Sequence, residues 1–168
     1  MTMRRIMVVG CSGAGKSTFS RRLGAALGLP VTHLDRLFWR PGWARAPEDE
    51  FHAAQQEIVE SDAWVIDGNY GASMHLRLPR ADTIFFLDFP RRVCFRRVLV
   101  RSLREYGQDK QAPGCPEHFD REFYSYVWRW PKDHRERTVR RLADQGAHAR
   151  RIVLTRPREA EEFLRRIG

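Results

Sequence analysis

Residues 10–17 read GCSGAGKS and match the pattern G-x-x-x-x-G-K-[S/T]. They follow a short apolar run, RIMVVG (5–10), and precede a stretch, 16–27, in which apolar residues recur every four positions. This succession predicts a strand, a glycine-rich loop and an amphipathic helix. The same order is needed by a loop that binds nucleotide phosphates. We therefore interpret 10–17 as a phosphate loop rather than as a turn without a ligand.

The residue types of the phosphate loop each have a chemical reason. Glycines let the backbone point its N–H groups at phosphate oxygens, and the helix that begins near Lys16 adds its positive dipole end. We expect the Lys16 ammonium to contact the β- and γ-phosphates of ATP and the Ser17 hydroxyl to bind Mg²⁺. The residues predicted to bind the nucleotide are Gly10, Ser12, Gly13, Ala14, Gly15, Lys16, Ser17 and Thr18.

Composition places the chain among ordinary globular proteins. It has 168 residues, of which 42% are hydrophobic and 30% charged, so we predict a single domain over residues 1–168. The net charge is +9, and only three of the 30 basic residues are lysines. This charge predicts attraction to an anion such as nucleic acid, a phosphorylated small molecule or an acidic membrane surface. A bias of overall composition toward arginine explains many of these residues equally well.

The expected location of the protein is the cytoplasm. Three scattered cysteines, Cys11, Cys94 and Cys115, are too few for a disulfide framework and favour a reducing compartment. The apolar stretch within residues 1–10 is too short for a secretion signal, and no apolar run is long enough to cross a bilayer. We therefore predict no membrane partner.

Four further apolar runs look like the remaining strands of a parallel sheet. They lie at 30–35, 63–68, 82–88 and 150–155, and helical patterns lie between them at 47–61, 91–106, 119–130 and 135–146. Such alternation predicts an α/β fold, with a sheet sandwiched by helices. In the pattern 91–106 we expect the stripe Phe95, Leu99, Leu103 and Tyr106 to face the core.

Acidic residues end three of these runs, where ligands of parallel sheets bind: Asp35, Asp67 and Asp88. Asp35 opens the stretch DRLFWRPGW, in which Trp39 and Trp43 flank a Pro-Gly turn. We interpret Asp35 as a group that binds, and deprotonates, an acceptor hydroxyl, with both tryptophans shaping the pocket. The alternative is that the tryptophans fill the core and Asp35 caps a helix.

A small phosphotransferase is the class that remains. The chain has no N-K-x-D motif for guanine and no L-S-G-G-Q signature. The segment 106–117 is rich in glycine, proline and polar residues and is typical of a lid that closes over a site. Cys115 and His118 within or beside it are too few for a tetrahedral zinc site.

Five stretches in this order resemble the family labelled DNA topology modulation protein, whose members are P-loop proteins related to adenylate kinase. They are GCSGAGKST, LDRLFWRPGW, WVIDGNY, ADTIFFLDFP and GCPEHFDREFYSYVW. The resemblance implies a five-stranded parallel sheet and a P-loop NTPase fold of the nucleoside and nucleotide kinase type. It also implies ATP binding, an acceptor-binding insertion at about 36–62 and a lid at about 105–130. The family label describes an effect on DNA and names no acceptor.

The resemblance assigns roles to several residues. It implies that Asp67 supports Mg²⁺, although an acid before Gly68 is also a common turn former. Asn69 and Tyr70 stand where adenylate kinases have D-G-F-P-R, so the arginine that contacts the acceptor there is missing. We expect Asn69 and Tyr70 to line the acceptor pocket, with Arg77 and Arg80 as the candidates to replace the missing arginine.

Arginines on the helix before the lid are the other implied group. In adenylate kinase relatives such arginines stabilise the transferring phosphoryl group, which predicts this role for Arg97, Arg101 and Arg104. The alternative is a solvated surface. We prefer to interpret Asp88 as the cap of the helix that begins near Pro90.

Two functional hypotheses follow. The first is an ATP-dependent kinase that transfers the γ-phosphoryl group to a small acceptor, with nucleotides and nucleosides among the candidates. The second is a regulator that binds or hydrolyses ATP and associates nonspecifically with nucleic acid. No base-reading motif supports the second, but the net charge does. The sequence is compatible with a monomer or a homodimer.

Overall fold

The computed structural model describes residues 3–168, so the first two residues of the predicted domain and of the stretch 1–10 lie outside it. The strands are β1 (Arg5–Gly10), β2 (Val31–His33), β3 (Trp39–Arg40), β4 (Ala44–Arg45), β5 (Trp64–Asp67), β6 (Thr83–Leu87) and β7 (Arg150–Leu154). The helices are α1 (Lys16–Leu27), α2 (Leu34–Phe38), α3 (Glu48–Glu60), α4 (Met74–Arg77), α5 (Arg91–Arg104), α6 (Arg121–Asp133), α7 (Arg135–Gln145) and α8 (Pro157–Ile167).

Five of these strands form one parallel sheet in the order β2-β5-β1-β6-β7, which confirms the predicted architecture. Its central strand alternates between two apolar layers: Ile6 and Val8 pack into one cluster, and Met7 and Val9 pack into the other. Both faces are covered by helices, as expected when every residue of a strand is buried. All five strands end at one edge, where their connecting loops meet.

The chain leaves the sheet earlier after β2 than the sequence predicts. The apolar run 30–35 forms a strand only to His33, and Asp35 lies in the first turn of the short helix α2. Leu34 is fully buried against Gly68, where an added Cβ would come within 2.9 Å of the Leu34 Cβ. After α2, β3 and β4 pair as an antiparallel hairpin around Pro41–Trp43.

The core-facing side of α5 is a second correction. The residues buried along it are Cys94, Val98 and Ser102, whereas Leu103 is 68% exposed and Tyr106, just after the helix, is 61% exposed. The reason is the close approach of this helix to the phosphate loop. A Cβ on Gly13 would lie 2.3 Å from the Cys94 carbonyl oxygen, so only small side chains fit at this contact. The predicted stripe is therefore not the core face: Leu103 and Tyr106 are exposed, and Phe95 packs against the core only partly buried.

Two further observations concern the cysteines and the helices. Cys11, Cys94 and Cys115 are buried free thiols. Among residues 3–168, no helix combines the length and the apolar character that crossing a bilayer would require.

Candidate active site at the phosphate loop

A cleft of about 1400 Å³ opens along the edge of the sheet where the strands end. Residues 12–19 form one wall, and the hairpin β3–β4 contributes another. The predicted site residues that line the cleft are Ser12, Gly13, Ala14, Gly15, Lys16, Ser17, Thr18, Asp35, Trp39, Trp43, Asn69, Tyr70, Arg97 and Arg101. Within the described chain, Gly10, Asp67, Arg77 and Arg104 are not part of this lining.

The phosphate loop has the backbone that its glycines predict. Gly10, Gly13 and Gly15 adopt φ angles of 146°, 84° and 92°, which other residues rarely tolerate. The Lys16 ammonium donates to the carbonyl oxygens of Gly10 at 3.0 Å and Cys11 at 3.1 Å, so it lies across the loop. The loop thus holds a cation and free N–H groups at the start of α1, an arrangement suited to an anion.

Asp67, at the end of β5, is 2% exposed and joins two neighbours. The Ser17 hydroxyl donates to its Oδ1 at 3.3 Å, and His33 Nδ1 lies 2.5 Å from its Oδ2. The His33 contact follows from the register, because His33 and Asp67 are partners on adjacent strands. Sequence analysis did not identify His33. The sequence offered one signal for His33, namely its position near the end of the apolar run that precedes the run ending in Asp67.

Hard oxygen donors from Ser17 and Asp67 suit Mg²⁺. In residues 3–168 no group of three or more His, Cys, Asp or Glu side chains is arranged to hold a metal by itself. A magnesium ion would therefore need oxygens from a bound phosphate as well, which is how this ion is usually held in kinases.

Asn69 and Tyr70 fix the loop after β5. Asn69 accepts from the Gly10 N–H at 3.0 Å and donates to the Gly10 carbonyl at 2.8 Å, so it ties this loop to the start of the phosphate loop. The Tyr70 hydroxyl donates to Asp35 Oδ1 at 2.5 Å. Burial, together with the Asp35 carboxylate, raises the pKa of Tyr70, which keeps the phenol protonated as a donor.

Arg77 is placed differently from the expectation. It is fully buried, and its guanidinium donates to the carbonyl oxygens of Gly68 at 3.0 Å and Asn69 at 2.8 Å. Burial lowers the pKa of Arg77 to about 9, because the charged form is separated from water. The side chain stabilises the loop that carries Asn69 and Tyr70, and it does not reach the cleft as an acceptor contact.

The two tryptophans of the hairpin line the cleft rather than filling the core. Their rings meet edge to face at 5.5 Å, and both side chains are half-buried. Trp43 has a φ angle of 62°, a strained value for a bulky residue. Its indole N–H donates to the Pro116 carbonyl at 2.9 Å, which holds the ring in place.

The three arginines of α5 fall into three different environments. Arg97 Nη1 donates to the Ala14 carbonyl at 3.0 Å, which places its charge beside the phosphate loop. Arg101 pairs with the buried carboxylate of Glu117, with Nε 3.3 Å from Oε2. Arg104 is exposed and lies outside the cleft. At about 100° per residue the three arginines lie on the same side of α5, but Arg104 is the last residue of the helix and stands about two turns beyond Arg97.

The predicted lid is anchored to the hairpin. The Gly42 N–H donates to the Gly114 carbonyl at 2.8 Å, and the Cys115 thiol donates to the Arg40 carbonyl at 3.1 Å. Together with the bond from Trp43 to Pro116, these contacts join two segments that are distant in sequence. Cys115 thus has a structural partner.

Asp88 does not cap α5, contrary to expectation. The helix begins at Arg91 without a side-chain cap, and both carboxylate oxygens of Asp88 accept from Arg135, at 2.6 to 3.0 Å. The pair joins the end of β6 to the start of α7. After β7, Pro157 is the first residue of α8, and it lines the cleft.

Sequence analysis missed the wall formed by α6 and α7. Tyr126, Trp130, His134, Arg137 and Arg141 line the cleft, and the His134 ring stacks on Trp130 at 5.6 Å. Burial, then the Cys11 thiol, raises the pKa of Tyr126 to about 12. Helical periodicity in 119–130 and 135–146 indicated two helices but not which side faced the site.

Comparisons with solved structures give the fold a context. No protein-family model matches the chain, and no curated protein sequence matches it. A shikimate kinase from Acinetobacter baumannii, solved in complex with shikimate, is 20% identical, with a TM-score of 0.62, over 99% of this chain and 91% of that one. A shikimate kinase from Bacteroides thetaiotaomicron is 20% identical, with a TM-score of 0.55, over 98% and 96%.

A gluconokinase from Sinorhizobium meliloti is 18% identical, with a TM-score of 0.52, over 99% of this chain and 94% of that one. Identities at this level establish similarity of architecture. The chain has the fold of P-loop kinases: one five-stranded parallel sheet flanked by helices, with the phosphate loop after its central strand.

Proposed function

We propose that this protein is an ATP-dependent kinase that phosphorylates a hydroxyl of a small acceptor. The observation that carries the proposal is that one cleft is lined by both the phosphate loop and Asp35, a carboxylate positioned by Tyr70. A phosphate loop alone is compatible with ATP hydrolysis. A fixed carboxylate between aromatic walls is what an acceptor hydroxyl requires.

The residues of the chain divide the chemistry as follows. Lys16 and Arg97 bind and neutralise the phosphates of ATP, with Arg101 adding charge from the lid side. Asp35 receives the proton of the acceptor hydroxyl while the hydroxyl oxygen attacks the γ-phosphorus of ATP. The bond between that phosphorus and the β,γ-bridging oxygen breaks, and this oxygen leaves as part of ADP. The proton then passes to solvent. Magnesium, held by Ser17 and through Asp67, would neutralise charge on the phosphates.

The two covering segments complete the proposal. The insertion at about 36–62 carries Trp39 and Trp43 and would bind the acceptor. The lid at about 105–130 would exclude water when it lies against the hairpin, as its contacts with Arg40, Gly42 and Trp43 allow. Both assignments rest on these contacts and on the resemblance noted above.

The experiment is acceptor-dependent release of ADP from ATP and Mg²⁺. The acceptor panel should include shikimate and gluconate, because a shikimate kinase and a gluconokinase share the fold. It should also include nucleosides and nucleotides. The Lys16→Ala variant serves as a control for contaminating kinases. The proposal is supported if an acceptor raises ADP release above basal hydrolysis in the parent protein but not in the Lys16→Ala variant. ADP release that no acceptor stimulates would favour an ATP-hydrolysing regulator instead.

A second candidate function is contact with single-stranded nucleic acid, and one surface favours it. We call this surface the α5–α6 face and define it by Phe95, Leu103, Tyr106, Phe119, Tyr124 and Trp128. Phe119 is 54% exposed and Trp128 40%. The rings form a series in which Phe119 lies 5.5 Å from Tyr106 and 6.5 Å from Tyr124, and Phe95 lies 6.3 Å from Tyr124 and 5.3 Å from Trp128.

Exposed basic side chains lie on the two helices of this face, and the Arg91 guanidinium lies 4.4 Å from the centre of the Trp128 ring. Along α5 there is no acidic residue, and the exposed basic side chains of the two helices are Arg91, Arg92, Arg96, Arg104, Arg121, Arg129 and Lys132. Aromatic faces stack on bases while arginines contact phosphates, which is the pattern of single-strand binding. A symmetric dimer through this face would bring like charges together, which disfavours a second copy as the occupant.

Fluorescence anisotropy with a labelled oligothymidylate tests this second function. A Phe119→Ala/Trp128→Ala double variant should bind more weakly by about 10-fold or more, since stacking contributes about 1–3 kcal/mol per base. The control is Val153→Ala, an exposed apolar residue on β7. Equal affinity of parent and double variant would contradict the function. Dimerisation of the parent protein that is lost in the double variant would also contradict the function, because the face would then bind a second copy of the chain.

A further inference from the structure

The arginines of α7 form two sets. Arg135 binds the Asp88 carboxylate and Arg140 pairs with Glu136, and neither arginine lines the cleft. Arg137 and Arg141 line the cleft instead. Within residues 3–168, neither Arg137 nor Arg141 has a carboxylate within ion-pair distance. On α7, the guanidinium groups outside the cleft are therefore paired with carboxylates, and those that line the cleft are not.

The same division occurs beside Asp35. Arg36 lines the cleft and lacks an acidic partner in the described part of the chain. Arg40, which lies outside the cleft, is paired with Glu50. Arginines without a carboxylate partner thus line the cleft from two elements that are far apart in the sequence, α2 and α7.

Arg141 belongs to the part of the cleft around Asp35. Its guanidinium lies against Gly71, where an added Cβ would come within 1.9 Å of Nη1. Gly71 directly follows Tyr70, whose hydroxyl holds the Asp35 carboxylate. This chain of contacts places α7 beside the proposed acceptor pocket.

The charge is positive in the part of the cleft formed by α2, the hairpin, the loop after β5 and α7, whereas the other carboxylates of the lining lie within 105–122 and on α8: Glu105, Asp109, Glu117, Asp120, Glu122 and Glu161. On α2, the hairpin, the loop after β5 and α7, the only carboxylate that lines the cleft is Asp35, and it already accepts from Tyr70. Guanidinium groups match the paired oxygens of a carboxylate or phosphate with two parallel hydrogen bonds. A neutral ligand could not form such charge-assisted bonds.

We propose that the acceptor is an anion, whose carboxylate or phosphate group is bound by Arg137 and Arg141, with Arg36 beside Asp35 adding a third cation. This inference rests on the proposed function and narrows it, because it excludes neutral nucleosides and sugars as true acceptors. The acceptor then carries two recognition groups: a hydroxyl for Asp35 and an anionic group for the arginines.

The first test measures binding without catalysis. The protein is saturated with Mg²⁺ and a non-hydrolysable ATP analogue, so that the phosphate loop is filled. Inorganic phosphate and citrate are then titrated by calorimetry. The Arg137→Gln/Arg141→Gln double variant should bind both anions at least about 10-fold more weakly. Arg140→Gln, on the same helix but paired outward, should match the parent.

Two results would overturn the inference. One is equal anion affinity in the parent and the double variant, including the absence of binding in both. The other is weaker binding of the ATP analogue in the double variant, since Arg137 and Arg141 would then serve the nucleotide. Thermal melting of each variant shows that the fold is retained, and both arginines have exposed side chains that their loss should not destabilise.

The second test compares matched acceptors in the ADP-release assay: gluconate with glucose, and a nucleoside monophosphate with its nucleoside. The anionic member of a pair should be preferred, and the double variant should raise its KM by about 10- to 100-fold with a smaller effect on kcat. The preferred pair shows whether the anion is a carboxylate or a phosphate. A preferred neutral acceptor would overturn the inference. Anion binding with no transfer to any acceptor would count against the kinase function alone.

Discussion

The phenol of Tyr70 donates to one oxygen of Asp35, at 2.5 Å, and leaves the other oxygen of that carboxylate available. The carboxylate is oriented by a residue on a different loop, and that loop is held in turn by the buried guanidinium of Arg77. A group that is fixed before the substrate arrives loses little freedom during the reaction. This arrangement is why Asp35 is the centre of the first prediction.

Asp35→Asn should preserve ATP affinity and lower acceptor-dependent turnover by about 10²–10⁴-fold, the usual contribution of a general base. Tyr70→Phe should have a smaller effect on turnover, because the carboxylate stays but loses its orientation. Nucleotide titration and acceptor-dependent ADP release check both variants. If Asp35→Asn lost ATP binding and thermal stability together, Asp35 would be a structural residue.

Lys16→Ala should weaken ATP binding by about 10- to 100-fold, the range for a hydrogen bond to a charged group. The fold should survive, since the ammonium bonds only two carbonyls of its own loop. Calorimetric titration with ATP and Mg²⁺ measures the change, and circular dichroism checks the fold. Unchanged nucleotide affinity would remove the basis for a kinase.

Arg97→Ala should lower kcat by about 10²–10³-fold with little change in the KM for ATP, as expected for a donor to the transferring group. Arg101→Ala should cost less activity, because Glu117 already compensates its charge, but should lower stability by leaving that buried carboxylate unpaired. Arg104→Ala is the matched control and should behave like the parent. An Arg104 effect equal to that of Arg97 would favour a general surface-charge role.

Asp88→Asn should reduce the free energy of unfolding by about 1 kcal/mol, or about 2–4 °C in Tm, because the pair with Arg135 is partly exposed. Glu136→Gln, which breaks the more exposed pair with Arg140, should change it by less than about 0.5 kcal/mol. Differential scanning calorimetry at low and high salt compares the two. An unchanged Tm for Asp88→Asn would show that the pair contributes nothing measurable.

Arg77→Leu should destabilise the protein by about 3 kcal/mol, since it strands the carbonyls of Gly68 and Asn69 without a donor. Activity should fall only in proportion to the folded fraction if the loop keeps its shape. Denaturant titration gives the stability, and activity is measured well below the midpoint. A variant with parental stability and a high acceptor KM would restore Arg77 as an acceptor contact.

The sequence predicted those features that depend on local pattern. The phosphate loop, the five strands and the long helices follow from spacing, and the structure confirms them. Features set by tertiary approach were not predictable. The stripe through Leu103 has regular helical spacing, yet the contact of α5 with Gly13 selects Cys94 and Val98 for the interior.

The candidate site shows the same limit. Lys16, Ser17 and Asp35 could be identified because their motifs fix their positions relative to a strand. The structural role of Arg77 and the position of Arg137 and Arg141 at the cleft could not, since burial or orientation toward a cleft depends on how helices dock. Arginines at helical spacing form the same sequence pattern whether they face a phosphate, a carboxylate or water.

The bonds between the hairpin and the lid have a kinetic consequence. Since Gly114, Cys115 and Pro116 are bonded to the hairpin that carries Trp39 and Trp43, a lid that opens while these bonds hold takes the acceptor wall with it. Both substrates of the proposed kinase would then enter through one gate, which favours a sequential mechanism over a ping-pong one. Where that opening limits product release, ADP and the phosphorylated acceptor should leave at a common rate, which is the rate of opening.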